Sequence, residues 1–228
     1  MENWLDRERS LIGEAAVERL KKSSVLIFGI GGVGGYSAEA LARSGVGELT
    51  LVDHDTVNLT NLNRQIIALN STLGMLKTEA AAERIADINP ECRVNSVSEF
   101  ADAGNIADII DKAKPDYIID AIDCVTSKLL IAEYANKQNI PLISSMGTGN
   151  KLDPEKLKIA DISKTHTCPL ARVMRRELSQ RGIKHLTVLF SEEQPVKVGM
   201  RTPASISFVP SSAGLMIAGY CIRKIIEV

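Results

Sequence analysis

The chain has 228 residues, of which 45% are hydrophobic and 24% charged, and its formal net charge is −1. That length and apolar share are enough for a buried core. The near-neutral balance excludes a protein that coats nucleic acid through bulk charge, though not one with a local basic site. Cys92, Cys124, Cys168 and Cys221 are scattered without a C-x-x-C pair, which argues against a paired-cysteine zinc site and against a secreted disulfide framework.

The N-terminus, Met-Glu-Asn-Trp-Leu-Asp-Arg-Glu-Arg, lacks the apolar core of a signal peptide, so a cytoplasmic protein is expected. Residues 10–22 read as one short amphipathic helix. Val25 to Phe28 suit a buried strand, glycines follow at once, and a helical pattern starts at Val33. Leu49 to Asp53 read as a second strand ending in an acid. Ser71 to Ile88 carry a helical pattern ended by Asn89-Pro90. Arg93–Val97 predicts a strand, Asn105–Lys112 a helix, Tyr117–Ala121 a strand, Ser127–Lys137 a helix and Pro141–Ser145 a strand. This alternation predicts an α/β fold with a mainly parallel sheet covered on both faces.

After Gly147 the rhythm changes. Residues 151–167 show no clean period, Pro169–Gln180 predicts a basic helix, and Leu186–Phe190 a strand. Glu192–Pro203 reads as a mobile loop. Residues 206–226 are too interrupted by Pro210, serines and Arg223-Lys224 to span a membrane, and predict a buried strand followed by a core helix. The chain therefore divides into an α/β half over 1–150 and a C-terminal elaboration over 151–228.

The stretch Gly29-Ile30-Gly31-Gly32-Val33-Gly34 sits between a strand and a helix, which is the context a phosphate loop needs. Gly29 permits a tight turn, Gly31 and Gly32 allow close backbone approach, and Gly34 allows helix and strand to pack. Phosphates would rest on unpaired N–H groups at the helix start. Asp53 lies at about the distance from the first glycine where an acid meets ribose hydroxyls. A polar loop then carries Asp55, Asn58, Asn61, Asn63, Arg64 and Gln65, whose amides and guanidinium suit a polyphosphate. Lys77 follows on the next helix, within reach of the same phosphates. Arg64 as a surface ion pair and Lys77 as a solvated helix residue are the plainer alternatives. Asp123, just past a strand, suits a magnesium ion on triphosphate oxygens, with Asp120 as the rival.

These motifs together, with Val52-Asp53-His54-Asp55, Thr60 to Gln65 and Asp120-Ala121-Ile122-Asp123, resemble the ThiF-like adenylating family of ubiquitin-activating enzymes, sulfur-carrier adenylyltransferases and HesA relatives. The C-terminal segments Lys-Leu-Asp-Pro, Ala-Asp-Ile-Ser-Lys-Thr and Pro-Leu-Ala-Arg-Val-Met-Arg-Arg-Glu-Leu are similar to its tRNA threonylcarbamoyladenosine dehydratase branch. The resemblance implies a Rossmann-like sheet with a C-terminal α/β extension forming one adenylating domain over 1–228. It implies that ATP lies over Gly29–Gly34 with its ribose on Asp53, that Asn61, Arg64 and Lys77 hold phosphates, and that Asp123 holds Mg2+. It further implies a homodimer in which an arm arginine, Arg9 or alternatively Arg7, completes the partner's site.

The implied reaction is ATP-dependent adenylation of the threonylcarbamoyl carboxylate on a tRNA adenosine, followed by ring closure and AMP release. The alternative within the family is activation of the C-terminal glycine of a small ubiquitin-like sulfur carrier. A nucleotide-binding dimer without enzymatic activity is a third reading. A sulfur-transfer or carrier protein as partner and a monovalent cation that orders the loops stay open. No zinc and no membrane are expected, since His54, His166 and His185 lack metal spacing. Cys168, the only cysteine in a polar, loop-like setting, is the candidate carrier thiol. Cys124 reads as a packing residue. Arg172, Arg175 and Arg176, with Arg181 and Lys184, form the candidate RNA-binding charge against the plainer reading of a solvated helix balanced by Glu177.

Overall fold

The computed structural model describes residues 3–199 and 202–227. Seven strands make one sheet: β1 (Ser24–Phe28), β2 (Glu48–Val52), β3 (Arg93–Val97), β4 (Tyr117–Asp120), β5 (Leu142–Ser145), β6 (Leu157–Asp161) and β7 (Thr187–Ser191). Their order is β3-β2-β1-β4-β5-β7-β6, and every pairing is parallel except β6 with β7. The helices are α1 (Asp6–Ile12), α2 (Glu14–Lys22), α3 (Gly34–Arg43), α4 (Lys77–Ile88), α5 (Ile106–Ala113), α6 (Val125–Gln138), α7 (Pro169–Gln180) and α8 (Phe208–Ile225).

Strand alternation assigns the two faces. On β1, Val25 and Ile27 join the cluster built with Leu20, Leu41, Ile85 and Ile217. Leu26 and Phe28 point the other way, towards Ile106, Ile110 and Ile131. All four are wholly removed from water, and each such side chain contributes about 1.5–3 kcal/mol. A third cluster, with Met174, Leu178, Val188 and Phe190, fixes α7 beside β7.

Four expectations change. The helix predicted over 10–22 is two helices, because Gly13 takes a left-handed φ of 86° that neither helix can continue through. The helix predicted from Ser71 starts only at Lys77. Residues Asn70–Thr72 make a 3-10 turn, Gly74 has φ 87°, and Leu76 bridges back to Thr56. The aperiodic stretch 151–167 contains β6, an edge strand whose residues are mostly only half-buried, which blurs its alternation. Among the described residues of 206–226 there is no strand ahead of α8; Pro210 instead sits inside its first turn, where a missing N–H costs no helix bond.

The loop predicted over 192–203 has no regular structure where described, and residues 200 and 201 lie outside the described residues. Its described parts are tied down. The Glu193 carboxylate accepts from the N–H groups of Leu152 and Asp153, and Asn150 Oδ1 accepts from Ala204 N at 2.7 Å. Among the described residues, no helix is long and apolar enough to cross a membrane.

Candidate active site

The chain runs outward from β1 through β2 to β3, then returns to the other side of β1 with β4. The loops leaving β1 and β4 therefore splay apart at the carboxyl edge and open a crevice. A cleft of about 310 Å³ lies there, lined by the glycine turn, Asp53, the 61–65 segment, Lys77 and Asp123. A larger groove of about 600 Å³ lies at the opposite edge of the sheet, around Tyr117 and Tyr220. Its cations Arg19, Lys22 and Lys224 occupy the last turns of α2 and α8, where they offset the negative helix ends.

The glycine turn has the shape expected of it. Gly29 has φ 87°, and a Cβ there would lie 2.8 Å from the Ala121 carbonyl oxygen. A Cβ at Gly34 would fall 1.8 Å from Gly29 O, so only glycine allows α3 to start this close to β1. At Gly31 a Cβ would meet nothing nearer than Gln65 Nε2 at 3.8 Å. That position is open towards the cleft. Gly32 faces Pro210 and Arg64 instead.

The C-terminal helix shapes the same cleft. Gly214 lets α8 lie on α3, since a Cβ there would be 2.3 Å from Val33 O, and the Ser37 hydroxyl donates to Gly214 O at 2.9 Å. This close approach delivers Pro210 and Ser205 to the cleft wall, where Ser205 O accepts from Asn63 Nδ2 at 3.0 Å. The sequence carries no local sign of that long-range contact.

Asp53 accepts from Ile30 N at 2.7 Å and from Asp55 N at 2.9 Å, which fixes its carboxylate between the glycine turn and the following loop. Each oxygen keeps a lone pair for a hydroxyl. Lys77, 5% exposed, is no solvated helix residue. Its ammonium donates to Asp55 Oδ2 at 2.6 Å and lies 3.7 Å from Asp53 Oδ1. Burial works to raise the Asp55 pKa, but the Lys77 ammonium, with a smaller effect from His54, holds it below the usual carboxylate range. Asp55 is thus the counter-ion of Lys77. Asp53, His54 and Asp55 bring ligand atoms within 4.8 Å of one another, yet the ammonium already sits on the two carboxylates.

Asn61 caps the 59–61 turn through Asn58 N, so its carboxamide oxygen serves the loop. Arg64 Nη1 donates to Thr60 O and Asn63 Oδ1, both at 2.9 Å; neither is a charged partner, so the surface ion-pair alternative does not describe it. Gln65 is 6% exposed, lines the cleft, and its Oε1 is buried without a hydrogen-bond partner. A buried acceptor with no donor is costly, which sets Gln65 apart from the other residues of the cleft. Asp123 is exposed on the cleft, whereas Asp120 is fully buried against Lys128.

Cys124, which the sequence reads as a packing residue bordering the nucleotide site, is half-buried. It lines the cleft at the N-cap of α6, and hydrogen bonding from Ser127 lowers its thiol pKa. A cysteine at a helix N-terminus, in the loop that leaves a strand's carboxyl edge, is the signal that marks it. Cys168, by contrast, is 3% exposed inside the apolar cluster of α7, so the polar setting read for it is wrong. The arginine face of α7 is also partly spent. Arg175 donates twice to Thr165 at 2.7 Å, Arg176 pairs with Glu177, and Arg181 pairs with Glu133 and Glu177. Arg172 and Lys184 are exposed.

Arg9 is bound by Asp6 at 2.6 Å and by Glu14, and Arg7 is exposed. Neither lines this chain's own cleft. Leu5, just ahead of α1, packs on Gly45 beyond the far end of α3, about 15 Å of helix away from the glycine turn.

A glycine turn at a switch point of a mainly parallel sheet, with an acid ending the next strand and a buried lysine beside it, defines an α/β protein of Rossmann-like architecture. More narrowly, the chain belongs to the ThiF family, whose model matches residues 5–228. It is 42% identical over 245 residues to a Bacillus subtilis tRNA threonylcarbamoyladenosine dehydratase, an alignment covering 100% of this chain and 96% of that protein. The crystal structure of the Escherichia coli tRNA N6-threonylcarbamoyladenosine dehydratase in complex with ATP superimposes with a TM-score of 0.90 at 36% identity. That match covers 96% of this chain and 92% of the other. A Haemophilus influenzae molybdopterin-synthase adenylyltransferase is 38% identical over 127 residues, 56% of this chain and 51% of that protein.

Proposed function

We infer that the protein is an ATP-dependent tRNA threonylcarbamoyladenosine dehydratase. The observation that carries this reading is the full-length likeness to a dehydratase, which includes the half of the chain that the sulfur-carrier adenylyltransferase does not match. ATP fits the cleft on two grounds of chemistry. Gly31 leaves backbone exposed where phosphate would lie, and the Gln65 acceptor lacks a donor that the amino and hydroxyl groups of a nucleoside possess.

In this reaction the threonylcarbamoyl carboxylate displaces pyrophosphate from the α-phosphorus of ATP, and attack from within the same modified base then closes a ring and releases AMP. No side-chain nucleophile is required, which agrees with the burial of Cys168. What the chain supplies is preorganised charge. The N–H groups at the start of α3 receive phosphate oxygens, and Asp53 receives the ribose. Lys77 leaves Asp55 to meet phosphate, with Asp55 holding the ammonium at the cleft until then. Arg64 exchanges neutral acceptors for phosphate, a stronger partner. Asp123 would hold Mg2+, which supplies charge neutralisation on the triphosphate. Residues 1–150 thus bind the nucleotide, and 151–228 close the cleft and meet the substrate, with Arg172 and Lys184 as the remaining basic contacts for tRNA. The protein works as a homodimer, Arg9 of each chain completing the site of its partner; its position away from its own cleft favours that arrangement. The setting is cytoplasmic, where tRNA is modified.

The test is mass spectrometry of nucleosides from threonylcarbamoyl-modified tRNA incubated with the protein and Mg-ATP. Loss of one water from the modified adenosine, with equimolar AMP, is the expected result. An unchanged nucleoside, together with ATP–pyrophosphate exchange that appears only on adding a carrier protein, would replace this reading by carrier activation.

A further inference from the structure

Two acids stand at the carboxyl edge of β4, and only one faces the cleft. Asp120, Lys128 and Ser144 are each 0% exposed. The Lys128 ammonium donates to Asp120 Oδ2 at 2.9 Å, and the Ser144 hydroxyl donates to the same oxygen at 2.6 Å. The other carboxylate oxygen accepts from Ile122 N at 3.3 Å. A buried ion pair is a poor device for stability, because desolvating two charges offsets their attraction and apolar residues of the same volume do as well.

What distinguishes this cluster is where it sits. The end of β4, the first turns of α6 and the strand β5 meet at one carboxylate, and the loop between β4 and α6 carries Asp123. That loop is closed at both ends, with Ala121 N donating to Phe28 O at 2.7 Å and Lys128 N donating to Cys124 O at 3.0 Å. It is also stacked on the glycine turn. The Ala121 carbonyl lies 2.8 Å from where a Gly29 Cβ would be, and Ala121 Cβ lies 3.3 Å from where a Gly34 Cβ would be. Packing this close turns a displacement of the loop into a displacement of the turn.

We propose that the Asp120–Lys128–Ser144 cluster registers the Asp123 loop against the glycine turn, with Lys128 as the central positioning residue for nucleotide–metal binding. Lys128 touches neither nucleotide nor metal; it acts through Asp123 and Ala121. The inference rests on the proposed function for the identity of the ligand, but its readout is ATP binding, which needs no tRNA.

The experiment compares the full-length protein with Lys128→Met, Lys128→Arg and the apolar triple variant Asp120→Leu/Lys128→Met/Ser144→Ala. ATP affinity is measured by calorimetry with Mn2+ as the metal probe, beside thermal unfolding. Lys128→Met is expected to melt lower and to bind ATP with Mn2+ at least ~10-fold more weakly. Lys128→Arg keeps the charge and is expected to recover most of that affinity. The triple variant removes the unpaired charge and is expected to regain stability while its affinity stays ~10-fold low. If Lys128→Met does not fold, the triple variant decides. A triple variant that binds ATP as tightly as the unaltered protein would overturn the proposal. An unaltered protein that binds ATP but makes no AMP on modified tRNA refutes the function alone, and one that does not bind ATP refutes both.

Discussion

Two substitutions in the glycine turn separate the fold from the ligand: Gly31→Ala and Gly34→Ala should fail in opposite ways. At Gly34 the added Cβ would lie 1.8 Å from Gly29 O and 3.0 Å from Gly29 C, and both obstacles are backbone. Overpacking against groups that cannot rotate away costs about 3 kcal/mol, the upper end of the usual range. For a chain of this length that lowers the melting midpoint by roughly 6–12 °C. At Gly31 the nearest atom is 3.8 Å off and the backbone is not left-handed, so the fold tolerates a methyl. Restricting the unfolded chain then adds about 0.4–1 kcal/mol of stability. The same methyl points into the cleft, where it separates phosphate from the N–H groups beneath. Losing one charge-assisted hydrogen bond costs about 1.5–3 kcal/mol, a tenfold or greater loss of ATP affinity. Thermal melts and calorimetric titration with Mg-ATP read both quantities. A Gly31→Ala protein with unaltered ATP affinity would refute the phosphate cradle, and a Gly34→Ala protein that melts normally would refute the close packing of α3 on β1.

Asp123→Ala should keep its melting midpoint and lose AMP formation by about 100-fold or more, as removal of a charge-organising group does; normal turnover would exclude Asp123 as the metal ligand. Mixing Arg9→Ala with Lys77→Ala subunits should restore part of the activity that each lacks alone, and no recovery would place Arg9 outside the partner's site. Mild alkylation near pH 8 should mark Cys124 first, because its thiol pKa is lowered while burial pushes Cys92 up to about 11 and Cys221 upward as well. Mg-ATP should slow that labelling, and prior modification of Cys92 would contradict the reading. Glu39 carries the pH prediction. Burial works to raise its pKa, but hydrogen bonds from Arg84 and Arg43 hold it below 4.5. A depressed folded pKa contributes stability above the unfolded value that is lost as pH falls through the folded one. Glu39→Gln should therefore flatten the fall in stability below about pH 4.5, and identical acid profiles would show that this carboxylate is not linked to folding.

The residues that local sequence made legible are those whose role lies in their own turn of chain. The glycine turn could be read because a strand, a φ-positive glycine and a helix start follow one another within ten residues. Asp53 could be read because it ends the next strand, and Asp123 could be preferred to Asp120 because alternation along β4 sends successive side chains to opposite sides. What stayed hidden is tertiary. The edge strand β6 pairs antiparallel with a partner from which residues 162–186 separate it, and one exposed edge weakens the alternation that would announce it. Ser71 to Leu76 has a helical pattern, yet Val57 N and Gly74 N pair across to Met75 O and Val57 O and pull the segment out of the helix. Helical propensity is a weak prior against such bonds.

What the sequence does not show of the site has the same origin. Asp55 lies among the candidate nucleotide ligands in sequence, and a lysine 22 residues later takes its carboxylate. Arg175 looked like an RNA contact by helical spacing, but Thr165 ten residues earlier takes its guanidinium. Charge on a helix face becomes available to a ligand only after the protein's own acceptors have been counted, and that count belongs to the fold. By that measure the cleft groups differ in what already occupies them: Lys77 is held by an exposed acid, Arg64 by neutral oxygens, and Gln65 Oε1 has no partner among the described residues.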